Sequence, residues 1–195
     1  NLAAAELYRL TGDTQWNELF LETTVFSDPS KSVYVWQQHD QVNAAYVYGS
    51  TNHPGVDSTI QQNVLNAMVR QADYEVNNIQ RTGFKWNADP WAPIGWGSLG
   101  APDTDILLRT HALTGDADYL NASLLASQFS AGANPDNMVY TTGIGHRNPN
   151  IPELADARAL GDVPSGITVY GPLDLQNPNG YGEDWRWSVE LFADA

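Results

Sequence analysis

Residues 2–20 read LAAAELYRLTGDTQWNELF, and the Thr11, Gly12, Asp13 triplet inside that stretch decides the fold. Before it, Leu2, Ala5, Leu7 and Leu10 fall at near-helical spacing; after it, Trp16, Leu19 and Phe20, continued by Phe26, do so again. Gly12 suits the left-handed backbone that closes a helix, and Asp13 offers an oxygen to the first amides of the next one. Two helices joined by so short a turn form an antiparallel hairpin. The design returns in residues 106–129, ILLRTHALTGDADYLNASLLASQF, where Thr114, Gly115 and Asp116 separate a second pair of apolar helical patterns.

Between the hairpins, residues 34–48 carry Tyr34, Val35, Val42, Ala45 and Tyr46 at mixed spacing and close at Gly49, which predicts a helix. Residues 57–81 are more regular. Ile60, Val64, Met68, Ala72, Val76 and Ile79 recur every three or four positions, with Asp57 or Ser58 as the cap and Gly83 as the terminator. Residues 84–102 break the period with Pro90, Pro93, Gly95, Gly97, Gly100 and Pro102, and gather Trp86, Trp91 and Trp96 in a loop. Residues 132–183 read as long loops with short extended pieces at 138–142 and 167–170. A last amphipathic stretch starts near Trp185 and runs to Ala195. Helical hairpins with tight turns on one side and elaborate loops on the other predict an all-α fold, part of an (α/α)6 toroid. The repeat is too irregular for a solenoid. Residues 1–195 read as a single domain, and a closed toroid needs more helices, so the expectation is an incomplete piece of a larger domain.

Composition narrows the function. With 195 residues, 42% of them hydrophobic, and 7 Trp, the chain can bury a real core, which excludes disorder. Nine basic against 23 acidic side chains give a formal net charge of -14, which repels phosphate backbones and anionic membranes and excludes nucleic acid as the expected partner. No Cys is present, so a thiolate metal site and a Cys nucleophile are excluded. No apolar run is long enough for a membrane helix. Dinucleotide and phosphate loops, the Gly-x-Ser-x-Gly elbow and His-Glu-x-x-His do not occur.

What remains is carboxylate chemistry on an aromatic, loop-lined face. Glu190 sits among Trp185, Trp187 and Phe192 at the start of the last helix. The helix dipole favours its anion and desolvation favours its acid; it is a general acid if desolvation dominates, and an exposed first-turn residue otherwise. Trp86, Trp91 and Trp96 suit the C–H faces of sugar rings, or else cover the end of the helical core. His146 and Arg147, after Gly143 and Gly145, can donate hydrogen bonds to a substrate or to their own loop. His39, His53 and His111 are isolated, and capping accounts for Asp103 and Asp105. The loops are rich enough in Asp, Asn and Gly for a structural calcium ion, although no Asp-x-Asp-x-Asp loop occurs; the chemistry requires no cofactor. Glycoside hydrolysis is the reaction class that pairs two carboxyl groups with aromatic sugar platforms.

The same residues resemble the catalytic domain of glycoside hydrolase family 9, the inverting cellulases. The similarity runs in order through Ala3–Ala5 with residues 7–13, Gly95 to Ser98, and the second Leu-Thr-Gly-Asp at 113–116. It continues through Ala133, Asn134 and Pro135, Tyr140 to Gly145, and Gly171 with Pro172, and ends at Glu190 to Asp194. The resemblance implies an (α/α)6 toroid in which Glu190 is the general acid, with Tyr140 and Trp187 joining the sugar-contacting set. It also implies an extracellular or periplasmic enzyme acting on a β-linked glucan or related oligosaccharide. The family's Asp-Ala-Gly-Asp motif, which holds the water-activating base, is absent, so the resemblance is to the C-terminal half. The missing N-terminal part would be its partner, and this chain alone would lack activity. Its Pro-x-x-Pro-His-His-Arg segment is also not reproduced, since His146 and Arg147 lie upstream of the corresponding residues 148–158. Two rivals remain: a non-catalytic saccharide-binding helical domain, and a toroidal polysaccharide lyase, against which the charge weighs because uronic acid polymers are anionic.

Overall fold

The computed structural model describes residues 1–33, 40–87, 104–134, 137–148 and 164–168. Among the described residues six α-helices follow one another: α1 (Leu2–Thr11), α2 (Thr14–Thr23), α3 (Asp40–Gly49), α4 (Ser58–Arg81), α5 (Asp105–Thr114) and α6 (Ala117–Ser130). Short 3-10 turns lie at Val25–Ser27 and Gly83–Lys85. The class is all-α as the periodicity predicts. The chain divides into two compact units, Asn1–Val76 with Asp105–Asn121, and Asn77–Thr104 with Ala122–Ala195.

The Thr-Gly-Asp turns are built alike, which explains the triplet. Gly12 takes φ 72 and its N–H donates to the Tyr8 carbonyl at 2.8 Å; Gly115 takes φ 75 and donates to His111 at 2.7 Å. In each, the threonine hydroxyl bonds back one helical turn, Thr11 to Leu7 at 2.7 Å and Thr114 to Thr110 at 2.8 Å, and accepts the aspartate amide, at 3.2 and 3.1 Å. The threonine thus ties a carbonyl of the helix's last turn to the aspartate amide of the turn that follows. The aspartates differ. Asp116 Oδ1 accepts the Asp118 amide at 2.9 Å, as a cap should, whereas Asp13 makes no capping bond and accepts Gln15 Nε2 at 2.8 Å instead.

In the first unit α1 packs against α2 and α3, and α3 against α5. Here the expected leucine stripe is corrected: α1 buries Ala4, Ala5 and Tyr8, while Leu10 is 68% exposed and, on α2, Leu19 is 42% exposed. Small residues let helix axes approach closely, so Ala4 and Ala5 on α1, like Ala44 and Ala45 on α3, occupy the positions where a leucine would force the helices apart. The aromatic side chains fill what remains. Phe20 stacks on Tyr48 with centroids 4.1 Å apart and planes 15° from parallel. Phe26 is buried as expected, but in the 3-10 turn after α2 rather than within that helix, because Thr24 caps the turn by accepting the Phe26 amide at 3.3 Å.

A polar network is buried with these rings. Tyr48 donates to Asn17 Oδ1 at 2.9 Å and accepts the Asp57 amide at 2.9 Å, while Asn17 Nδ2 donates to the Gly55 carbonyl at 2.8 Å. Burial pushes the Tyr48 hydroxyl up to about 12. Burial likewise raises Tyr119 to about 12, helped by the bond it donates to Asp73 at 2.9 Å.

Helix α4 matches its pattern. Asp57 Oδ1 caps it by accepting the Thr59 and Ile60 amides at 2.9 and 3.0 Å, and Ile60, Val64, Met68, Ala72 and Ile79 are buried. The helix predicted over residues 34–48 appears as α3 from Asp40, its earlier part lying outside the described residues.

Candidate functional site

In the second unit a small aromatic core underlies a glycine-rich loop. Phe129, near the end of α6, lies between Trp86 and Tyr140: the Trp86 ring is almost parallel to it at 5.8 Å and 14°, and the Tyr140 ring is tilted at 5.9 Å and 58°. Met138 completes the cluster. Asn134, 4% exposed, ties its backbone together: Nδ2 donates to the Phe129 and Met138 carbonyls at 2.6 and 2.8 Å, and Oδ1 accepts the Met138 amide at 3.3 Å. That explains the asparagine of the Asn-Pro motif, since one amide side chain satisfies three buried backbone groups.

From this base the chain turns through Thr141, Thr142, Gly143, Ile144 and Gly145. Thr142, 2% exposed, is bonded on every side to residues 164–167. Its amide donates to Ile167 O at 2.9 Å and its carbonyl accepts Gly166 N at 2.8 Å. Its hydroxyl donates to Pro164 O at 2.7 Å and accepts Ile167 N at 3.0 Å. Thr141 and Thr168 form an isolated antiparallel bridge, so the two predicted extended pieces do meet. Gly143 and Gly145 are left-handed, at φ 70 and 79, and both are crowded: a Cβ on Gly143 would lie 2.2 Å from Ser165 Oγ, and one on Gly145 2.5 Å from Val139 Cγ2. Only glycine fits there. The loop therefore presents Ile144, His146 and Arg147 to solvent in a fixed backbone, held further by Gly143 N donating to Asn148 Oδ1 at 2.9 Å and Val139 N to Arg147 O at 3.0 Å.

The residues nominated from the sequence fall in different settings. His146 and Arg147 are exposed on the loop, where their side chains can meet a ligand. Trp86 is partly buried with one face on Phe129, and its Nε1 is buried without a hydrogen-bond partner. Tyr140 is fully buried and its ring serves the core beneath the loop. Trp91, Trp96, Trp187 and Glu190 lie outside the described residues.

One feature of this unit escapes the periodicity. The pattern predicts Gly83 in the left-handed position that ends α4, but Phe84 takes it, at φ 59 and ψ 11, and Lys85 follows at φ 58. Phe84 is 54% exposed. A non-glycine residue there costs about 1–2 kcal/mol, and the signal in the sequence is no more than an aromatic residue just past a helix end.

The first unit contains a cavity of about 450 Å³ among α1, α3 and α5, lined in part by Glu6, Arg9, Asn43, Tyr46 and Arg109. Its charges are spent on one another. Arg9 bonds Glu6 Oε2 through Nε and Nη2 at 3.0 and 2.8 Å. Arg109 meets Asn43 Oδ1 at 2.5 Å and Asp105 at 3.1 Å, and sits 5.6 Å over the Tyr46 ring. Among the described residues no group of three or more His, Asp or Glu side chains is placed to hold a metal ion, and no helix is long and apolar enough to cross a membrane.

No family model matches the chain. In sequence it is similar to endoglucanase D of Acetivibrio thermocellus, 25% identical over 151 residues that cover 77% of this chain and 24% of that protein. The chain thus spans about a quarter of the length of the curated relative it matches. In structure it is similar to a metagenome-derived glycoside hydrolase family 9 endoglucanase, with a TM-score of 0.70 and 23% identity over 88% of this chain and 31% of that one. It is also similar to a zinc-binding triple mutant of the family 9 endoglucanase J30, with a TM-score of 0.73 and 24% identity over the same shares. The likeness to family 9 read from the motifs is borne out by the solved structures, the sequence relative is likewise an endoglucanase, and the all-α class is that expected of part of an (α/α)6 toroid.

Proposed function

We propose that this chain contributes the acid-bearing half of a family 9 type catalytic domain that hydrolyses a β-linked glucan with inversion. The observation that carries the reading is the agreement of two likenesses, a sequence match over 77% of the chain to an endoglucanase and a fold match over 88% to a family 9 endoglucanase. The carboxylate chemistry left after other classes are excluded points the same way.

In this mechanism Glu190 protonates the leaving glycosidic oxygen, while an aspartate supplied outside this sequence activates water on the opposite face of the sugar. Inversion needs the two carboxyl groups roughly 6.5–9.5 Å apart, so that a water molecule fits between sugar and base. Trp185 and Trp187 are near Glu190 in the sequence, and desolvation by such rings is the means by which a carboxyl group is kept in the protonated form that a general acid needs. Trp91, Trp96 and Trp187 offer flat apolar faces to the pyranose rings. His146 and Arg147 donate hydrogen bonds to hydroxyls from the glycine loop, whose backbone is fixed before substrate arrives, so little ordering is left to oppose binding. The substrate is a neutral or cationic glycan, in keeping with the -14 charge. No cofactor enters the chemistry, and the setting is extracellular or periplasmic.

The test is Glu190→Gln in the chain expressed with the coding sequence that flanks it. Loss of turnover by about 10²–10⁴, with cello-oligosaccharide binding retained, is the expected result for a general acid. Unchanged hydrolysis assigns the acid elsewhere, and binding without hydrolysis in the unmodified protein marks a saccharide-binding domain.

A further inference from the structure

We infer that Phe84 is a sugar-stacking platform, held out to solvent by the strained turn that follows α4; the inference rests on the saccharide reading above. Phe84 and Lys85 both carry left-handed backbone, although Gly83, which could adopt it without strain, is the preceding residue and does not. A sequence selected for stability alone would shift the glycine by one position. Strain of this kind persists only where the surroundings over-determine it, and it concentrates at functional sites.

The surroundings do over-determine it. On one side the Thr82 amide donates to the Asn78 carbonyl at 3.1 Å and Lys85 Nζ to the Gln80 carbonyl at 3.3 Å, which fixes the turn to the last turn of α4. On the other, the Thr82 hydroxyl donates to the Trp86 carbonyl, and the Trp86 ring is anchored flat on Phe129. Of the three residues between these anchors, Phe84 and Lys85 carry the left-handed bend and Gly83 does not.

The side chain thus placed is far less buried than the core phenylalanines. Phe20, Phe26 and Phe129 are 0%, 1% and 6% exposed, while Phe84 is 54% exposed. The exposed ring is planar, apolar and without donors, which matches the axial C–H face of a β-linked glucose residue, whose hydroxyls project from its edge. The sequence nominates Trp86 for this task, but one face of Trp86 is already taken by Phe129. Phe84, two residues earlier on the same connection, is free to offer a face.

The experiment titrates the full 195-residue chain with cellohexaose by calorimetry and follows Tm for each variant. Phe84→Tyr, which keeps a planar ring, should bind as the unmodified chain does. Phe84→Leu, apolar but not planar, should lose about tenfold in affinity, roughly 1.4 kcal/mol. Phe84→Gly should lose affinity by the same factor yet raise Tm by about 2 °C, because it removes the left-handed strain. Full affinity in Phe84→Leu while the unmodified chain binds overturns the platform alone. A lower Tm in Phe84→Gly overturns the strain that supports it. Absence of cellohexaose binding both in the unmodified chain and in the protein extended by its flanking coding sequence overturns the saccharide reading, and this inference with it.

Discussion

Gly143→Ala should be among the most damaging single-atom additions to this chain, and its cost can be worked from two parts. The first is conformational. At φ 70 an alanine is strained, by about 1–2 kcal/mol, offset by several tenths because alanine restricts the unfolded chain. The second is steric. The new Cβ would lie 2.2 Å from Ser165 Oγ, 2.6 Å from its Cβ and 3.2 Å from its Cα. A rotamer change can remove the Oγ overlap, but the overlap with the Ser165 Cβ and backbone requires the 164–168 segment to move against the bonds Thr142 makes to it, at about 1–3 kcal/mol more. The sum is about 3 kcal/mol, or a fall in Tm of roughly 6–12 °C for a chain of this size. Gly115→Ala isolates the first part, since its φ is 75 and nothing lies within 4 Å of its added Cβ; it should lower Tm by about 3 °C. Thermal unfolding of both variants, and of Gly143→Ala with Ser165→Gly, completes the assay. Equal losses at Gly143 and Gly115, or no recovery with Ser165→Gly, would refute the close approach of the glycine loop to the 164–168 segment.

Asn17→Ala should cost about 2–3 kcal/mol in denaturant unfolding, because it leaves the buried Tyr48 hydroxyl without its acceptor and the Gly55 carbonyl without its donor. Alkaline pH should destabilise the first unit. A tyrosine whose folded pKa lies at about 12 rather than the ordinary 10 keeps its proton in the folded state while the unfolded chain has lost it, so its contribution is complete below pH 10 and disappears as pH rises toward 12. The loss is about 2 kcal/mol for Tyr48, and urea titrations at pH 9, 10 and 11 on the chain and on Tyr48→Phe should show a steeper decline in the former. Asn134→Ala should lower Tm by at least about 4 °C, since three buried backbone groups lose their partner; an unchanged Tm would mean that the Phe129 and Met138 backbones are satisfied without it.

Much of the helical frame is legible in the sequence because it depends on local signals. The two Thr-Gly-Asp turns need left-handed backbone and a threonine hydroxyl, and both are written in three residues. Helix α4 needs only a period of 3.6 and a cap, and Asp57 supplies the cap. What cannot be read is set by neighbours distant in sequence. The leucines of α1 and α2 keep helical spacing, yet the close approach of α1 to α3 selects Ala4 and Ala5 for burial and leaves Leu10 outside. Trp86 and Tyr140 have the sequence context of loop aromatics, and it is Phe129, more than forty residues after Trp86 in the sequence, that draws both into one cluster. Gly83 carries the right signal one position too early, because the Trp86 anchor moves the bend onto Phe84. For His146 and Arg147 the sequence leaves substrate and loop contacts open, and the exposure of both is set by the fold of the loop around Gly143 and Gly145.

The central claim, an inverting glycosidase whose acid lies in this chain, is tested most directly by the stereochemistry of the product. Cello-oligosaccharide would be hydrolysed by the chain expressed alone and with the coding sequence that flanks it, and the new reducing end followed by NMR before mutarotation erases its configuration. The account predicts that hydrolysis requires the extended protein and that the α-anomer appears first. A β-anomer appearing first, or an extended protein that binds the sugar and never cleaves it, would contradict it.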